Sequence, residues 1–174
     1  FLSAATGPSA ALDELVLRAP GADQDLRDAL GAASLLTTSV AENQTEAQDL
    51  FAAARSEYGR LLGALYAEGY YSGTIRVLID GREAASIAPL DAPDRIGRIE
   101  VIVTPGPRFD FSRAEVAPLA RGTELPAEFA TGQIARSGTV VAATQAGIEG
   151  WRGAGHAKAG VAAQDIVADH ANAR

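Results

Sequence analysis

The sequence predicts an α+β fold made of two tandem modules, each a small mixed sheet covered by two helices. Hydrophobic residues make up 47% of the 174 residues and charged residues 21%, a balance that can fill a core. A long helical pattern ends at Gly69, and β-branched segments follow it at residues 74–79 and 99–103. A third observation is an internal repeat at the helix ends, which indicates duplicated modules.

The first module begins with a short strand and a helix. The apolar run at residues 12–17 ends at the turn-forming segment 18–21 and predicts the strand. Asp23 can cap a helix that extends to about Leu36, and the polar residues 37–43 then form a connection.

The next element is the clearest helix of the chain. Thr45 and Gln48 have the spacing of a capping box, and apolar residues from Leu50 to Leu65 repeat on one face. This leucine face could be a groove for a partner helix, but an amphipathic helix beside strong strands usually packs on its own sheet.

The strongest predicted strand follows this helix and turns back in a hairpin. The dipeptide Asp80-Gly81 is a strong hairpin signal, residues 83–87 form a short returning strand, and residues 99–103 form a further strand. We expect the first strand of the hairpin to be an exposed edge that binds a partner strand. Its residues are Thr74, Ile75, Arg76, Val77, Leu78 and Ile79.

Two prolines interrupt the chain after residue 104 and indicate a joint of fixed angle at Pro105, Gly106 and Pro107. We therefore divide the chain into a first module at residues 1–107, including an N-terminal tail, and a second at 108–174. In the second module we expect a strand from Phe109 toward Val116, a helical piece near 125–129 and a helix from about Thr139 to Ala154.

The repeat joins the segment 65–71 to the segment 151–157, which lies 86 residues later. Each copy ends a helix with a large apolar residue, followed by a glycine and then an aromatic residue or His. With the order β-α-α-β-β and the closing segment 104–109, the chain resembles the polypeptide-transport-associated (POTRA) domains of outer-membrane assembly proteins. Within that superfamily, the runs 80–93 and 150–159 are most similar to the alphaproteobacterial TamA family.

The resemblance implies a function outside catalysis. POTRA arms lie at the periplasmic face of the outer membrane and handle nascent outer-membrane or autotransporter polypeptides. Those of the TamA type also dock a periplasm-spanning TamB-like partner. The family carries a C-terminal membrane barrel, and its third strand is central in the sheet. The second module here lacks its last strand, so we expect it to be truncated. A two-partner secretion transporter and a cell-division scaffold, which also carry POTRA regions, stay open as alternatives.

The remaining chemistry gives little support to other functions. The two histidines, His156 and His170, lack cysteine partners or an HExxH spacing, and no nucleophile elbow or phosphate-binding glycine motif occurs. We therefore expect no catalytic residue, no metal and no cofactor, and we place His156 at a helix end. A net charge of −7 disfavours nucleic acid.

Backbone pairing at a sheet edge is the binding mode that these observations favour. An exposed edge strand presents unpaired N–H and C=O groups, and an extended peptide can add to it with little dependence on side chains. The aromatic residues Tyr66, Tyr70 and Tyr71 form a second candidate contact with a partner, or else a hinge between modules.

Overall fold

The computed structural model describes residues 12–174 and shows an α+β protein. In this part of the chain the regular elements are β1 (Glu14–Arg18), α1 (Gln24–Ala33), α2 (Leu35–Ala41), α3 (Ala47–Ala67), β2 (Thr74–Ile79), β3 (Arg82–Glu83), β4 (Arg98–Thr104) and α4 (Ser137–Gly153). The chain forms two compact units. One extends to Ala64 and resumes over Thr74–Thr104, and the other comprises Leu65–Gly73 and Pro105–Arg174.

The first unit contains the whole sheet, in the strand order β1-β4-β2-β3. β4 is the last of these strands in the sequence but lies in the middle. It pairs in parallel with β1, with Leu15 opposite Ile99, and antiparallel with β2, with Val77 opposite Val101. β1 and the β2–β3 hairpin therefore form the two edges of the sheet.

The strands alternate between a buried face and an open face, as their sequence pattern predicts. Val77 and Ile79 of β2 are buried on the helix side and Ile75 is half-buried, whereas Arg76 is exposed and Leu78 is half-buried on the other side. On β4 the buried residues are Ile99, Val101 and Val103. The alternation of apolar and polar residues in the sequence of β2 predicts that Ile75, Val77 and Ile79 face the helices, and the structure confirms it.

The helix predicted from Asp23 to Leu36 is two helices, and this prediction was wrong in its extent. Asp23 does cap α1, accepting a hydrogen bond from the Leu26 amide at 2.9 Å. Ser34 then adopts an extended conformation and caps α2 by accepting from the Thr37 amide at 3.1 Å. The fully buried carboxylate of Glu57, on α3, also accepts hydrogen bonds from the first two amides of α2, at 2.9 and 3.3 Å. A tertiary contact therefore stabilises the break.

α3 buries most of its predicted apolar face, since Leu50, Leu61 and Leu65 are fully buried, but Leu62, predicted on the same face, is exposed. The helix begins at Ala47, however, so Thr45 lies outside it and the predicted capping box with Gln48 is wrong.

The second unit departs furthest from the prediction. Its described residues contain no strand, and the strand expected from Phe109 toward Val116 is a single bridge between Asp110 and Ile134. Two backbone hydrogen bonds form this bridge, from the Ala135 amide to the Phe109 carbonyl at 2.9 Å and from the Phe111 amide to the Gln133 carbonyl at 2.8 Å. The helical piece expected near 125–129 is a turn, and residues 157–174 form no helix or strand.

The glycines of α4 permit a close approach of this helix to the segment before it. A Cβ atom added at Gly147 would lie 2.9 Å from a methyl carbon of Val116, and one added at Gly150 would lie 2.0 Å from the hydroxyl oxygen of Thr123. At Gly153 such an atom would meet open space. Two of the four glycines of α4, Gly147 and Gly150, are therefore required by packing within the second unit.

We predict that Leu61→Ala lowers the free energy of unfolding by about 2–5 kcal/mol, since it removes a buried side chain and leaves a cavity. Leu62, its neighbour on α3, is 37% exposed, so Leu62→Ala is the matched control and should cost less than about 1 kcal/mol. Urea unfolding measures both values. Equal losses in the two variants would contradict the assigned helix face.

A second prediction concerns α4. Gly150→Ala should destabilise the protein by about 1–3 kcal/mol because Thr123 must move, whereas Gly153→Ala should be neutral or stabilising by up to about 1 kcal/mol. Thermal unfolding of the two variants tests this difference. A gain in stability in Gly150→Ala would show that α4 does not pack closely on the preceding segment.

Candidate functional site

The edge of the sheet at β2 is only partly open. β3 pairs with the last two residues of β2, with Leu78 opposite Glu83 and Ile79 opposite Arg82. The predicted edge strand is therefore an edge over residues 74–77 alone, and its C-terminal end is covered by the hairpin.

The backbone groups of Val77 point away from the sheet. The Val77 amide donates to Oε1 of Glu83 at 3.0 Å, and the Val77 carbonyl oxygen lies 3.4 Å from the hydroxyl of Tyr58. Because this direction alternates along an antiparallel strand, Ile75 also directs its N–H and C=O outward, whereas Arg76 and Leu78 direct theirs at β4. The sequence pattern predicts an outward-pointing amide at either Arg76 or Leu78, without deciding between the two. The structure assigns that donor to neither of them.

Side chains thus contact both outward backbone groups of Val77. Tyr58, on α3, donates its hydroxyl hydrogen to Oε1 of Glu83 and accepts a hydrogen bond from the Ala85 amide at 3.3 Å. The other carboxylate oxygen of Glu83 accepts from Nε of Arg76 at 3.3 Å. We call Tyr58, Glu83 and Arg76 the edge cap.

The edge cap shifts the ionisation of two of its members. Burial, together with the hydrogen bond to Glu83, raises the pKa of Tyr58 to about 12. Partial burial acts to raise the pKa of Glu83, but the hydrogen bonds from Tyr58, Val77 and Arg76 outweigh it and hold that pKa below its ordinary value of 4.5. Glu83 is therefore an anion, and Tyr58 neutral, near pH 7.

Ile75 differs from Val77 in having no such cover. Among the described residues, its outward N–H and C=O have no hydrogen-bond partner. The side chain of Ile75 is half-buried on the helix side, so only its backbone is available at the edge. The open part of the β2 edge therefore centres on this residue.

The aromatic residues at the end of α3 belong to the second unit. Tyr66 stacks on Tyr71, with ring centroids 4.9 Å apart, and Tyr71 meets the buried ring of Phe109 edge to face at 5.4 Å. The Tyr71 hydroxyl donates to the Ala135 carbonyl at 2.7 Å, and burial raises the pKa of Tyr71. These contacts place the aromatic residues in the packing of this unit.

Tyr70 is buried, 9% exposed, with the guanidinium carbon of Arg108 5.9 Å from the centre of its ring. It therefore offers little surface to a partner, and of the three tyrosines only Tyr66 and Tyr71 are half-buried.

The residues of the predicted joint lie at the start of the second unit's main segment. Pro105 is buried, Pro107 is exposed, and Gly106 has a φ of +71°, a conformation that favours glycine. A Cβ atom at Gly106 would lie 3.3 Å from that of Ser72, so space as well as φ restricts this position.

The repeated segments have the same local geometry. Gly69 and Gly155 have φ values of +85° and +98°. In each copy the residue after the glycine donates across the helix end, Tyr70 to the Leu65 carbonyl at 2.8 Å and His156 to the Trp151 carbonyl at 3.0 Å. Both helices therefore end in a Schellman-type cap, and the sequence similarity has a structural counterpart.

His156 packs at the end of α4, as expected, with its ring 5.1 Å from that of Trp151. Over residues 12–174, no cluster of three or more potential ligands could hold a metal ion. In the same part of the chain, no helix has both the length and the apolarity needed to cross a membrane.

Comparisons with known proteins give no assignment. No protein-family model matches the chain, and no curated protein matches it.

The edge cap holds the pKa of Glu83 below its ordinary value. The stability that ionised Glu83 contributes should therefore be complete above about pH 4.5, and it should be lost as the pH falls through the lower pKa of the folded state. We therefore predict that the stability of the wild type decreases more between pH 5 and pH 3 than that of Glu83→Gln, which has no carboxyl group to titrate. Urea unfolding across this range measures the difference. Parallel pH profiles would contradict it.

Proposed function

We propose that this chain is a POTRA-type arm that binds extended polypeptides by adding them to the β2 edge of its sheet. The position of β4 in the sheet carries this proposal. β4 comes last among the strands of the first unit but lies centrally in the sheet, and a central last strand is what the POTRA resemblance implies.

The open backbone at Ile75 gives this arrangement a binding chemistry. A guest strand at this edge would accept a hydrogen bond from the Ile75 amide and donate one to its carbonyl. Such bonds do not depend on the guest's side chains, which suits a protein that handles many unfolded clients. In this proposal the clients are nascent outer-membrane or autotransporter polypeptides, the site of action is the periplasmic face of the outer membrane, and a TamB-like protein is a further partner.

Proline substitution at Ile75 tests the edge directly. Because the Ile75 amide points away from β4, Ile75→Pro removes an outward donor and leaves the pairing of β2 with β4 intact. We expect it to weaken binding of a capped, fluorescein-labelled heptapeptide of alternating Val and Thr by about tenfold or more. Fluorescence polarisation measures the affinity, and circular dichroism checks the fold.

Ile75→Ala is the matched control, because it also shortens the half-buried side chain but keeps the amide. Its affinity for the peptide should stay within about threefold of the wild type. If Ile75→Pro folds and binds as tightly as Ile75→Ala, the β2 edge is not the binding site, and the exposed parts of Tyr66 and Tyr71 become the better candidate.

A further inference from the structure

The open edge at β2 is short. Ile75 offers one outward N–H and one outward C=O, and the next outward pair, on Val77, already bonds to or contacts Glu83 and Tyr58. Beyond Val77, the outward groups of Ile79 face Arg82 of β3. A guest strand that pairs only at Ile75 gains two main-chain bonds, whereas stable pairing of strands extends over several residues.

The edge cap imitates a guest strand. Oε1 of Glu83 lies 3.0 Å from the Val77 amide, a position where the carbonyl oxygen of a paired strand would lie. The groups that cover Val77 are side chains at a partly exposed site, not a paired strand. Glu83 is 31% exposed and its partner Arg76 is 61% exposed, so rotation of the Glu83 side chain would bring the carboxylate into water without unpairing the sheet.

We propose that Glu83 is an internal competitor for the guest strand: its carboxylate closes the edge at Val77, and an extended polypeptide must displace it to pair with the full edge of β2. This proposal rests on the proposed function, because it sets how much of the same edge a client can use. Tyr58 holds the competitor in place from α3, and Arg76 holds it from β2. The competition selects for guests long enough to pair at both Ile75 and Val77. A shorter guest would not replace the hydrogen bond between the Val77 amide and Glu83 that is lost on displacement.

Amide hydrogen exchange tests the closed state without any ligand. In the wild type the Val77 amide should exchange slowly. In Glu83→Ala it should exchange at least about tenfold faster, because its only acceptor has been removed. The Asp80 amide, which donates to the Arg98 carbonyl at 2.9 Å within the sheet, should be unchanged and reports that the sheet is intact. Glu46→Ala, at an exposed glutamate before α3, is the control for loss of a negative charge.

Peptide affinity tests the competition. Glu83→Ala should bind the alternating Val/Thr heptapeptide about tenfold more tightly than the wild type, because the Val77 amide becomes free to pair with the guest. Tyr58→Phe should give a smaller gain in the same direction, and Glu46→Ala none. Should Glu83→Ala disturb the hairpin, Glu83→Gln keeps the size of the side chain and removes its charge, and it should also bind more tightly than the wild type.

The outcomes separate this inference from the proposed function. If Ile75→Pro abolishes binding but Glu83→Ala and Glu83→Gln bind like the wild type, the edge receives strands and Glu83 does not compete. Slow exchange of the Val77 amide in Glu83→Ala would also overturn the competition. If no variant binds the peptide, including Glu83→Ala with a freely exchanging Val77 amide, both the proposed function and the competition are wrong.

Discussion

The architecture of the first unit depends on one long-range constraint, the insertion of β4 between β1 and β2. The parallel contact of β4 with β1 joins residues that are more than eighty positions apart, so the helices between them must cross one face of the sheet. Its antiparallel contact with β2 then aligns six consecutive residues of β2. Because β4 is central, β1 and the β2–β3 hairpin lie at the two edges of the sheet. The polar contacts of the edge cap protect the β2 edge.

Exposed edges promote unwanted pairing between chains, and proteins commonly protect them with charges, short strands or covering segments. The β2 edge combines two of these devices. A two-residue strand covers one end, and a glutamate held by a tyrosine and an arginine occupies the middle. Side-chain protection differs from a covering strand because it can be withdrawn at low cost. Such protection disfavours unwanted pairing while the cap is closed, and in the proposed function a polypeptide displaces it.

Much of this unit follows from local sequence signals. The alternation of residues 74–79, the Asp80-Gly81 turn and the leucine face of α3 each predict structure through short-range periodicity or turn chemistry. The features that sequence reasoning missed depend on distant partners. The break at Ser34 relies on Glu57, the edge cap joins Tyr58 to Glu83, and the short bridge at Asp110 depends on Ile134. Glu83 follows closely after the hairpin turn, which is a weak signal of its position, but nothing local indicates that Tyr58 would meet it.

The buried carboxylate of Glu57 has a consequence for how this unit forms. α2 has seven residues, too few to persist as an isolated helix in water, and its first two amides depend on an oxygen supplied by α3. α2 therefore depends on the docking of α3, and opening α2 while Glu57 stays buried would leave Oε2 of Glu57 without its two hydrogen bonds. α2 and α3 should therefore act as a single cooperative folding unit. A local opening of α2 should be accompanied by a change in α3.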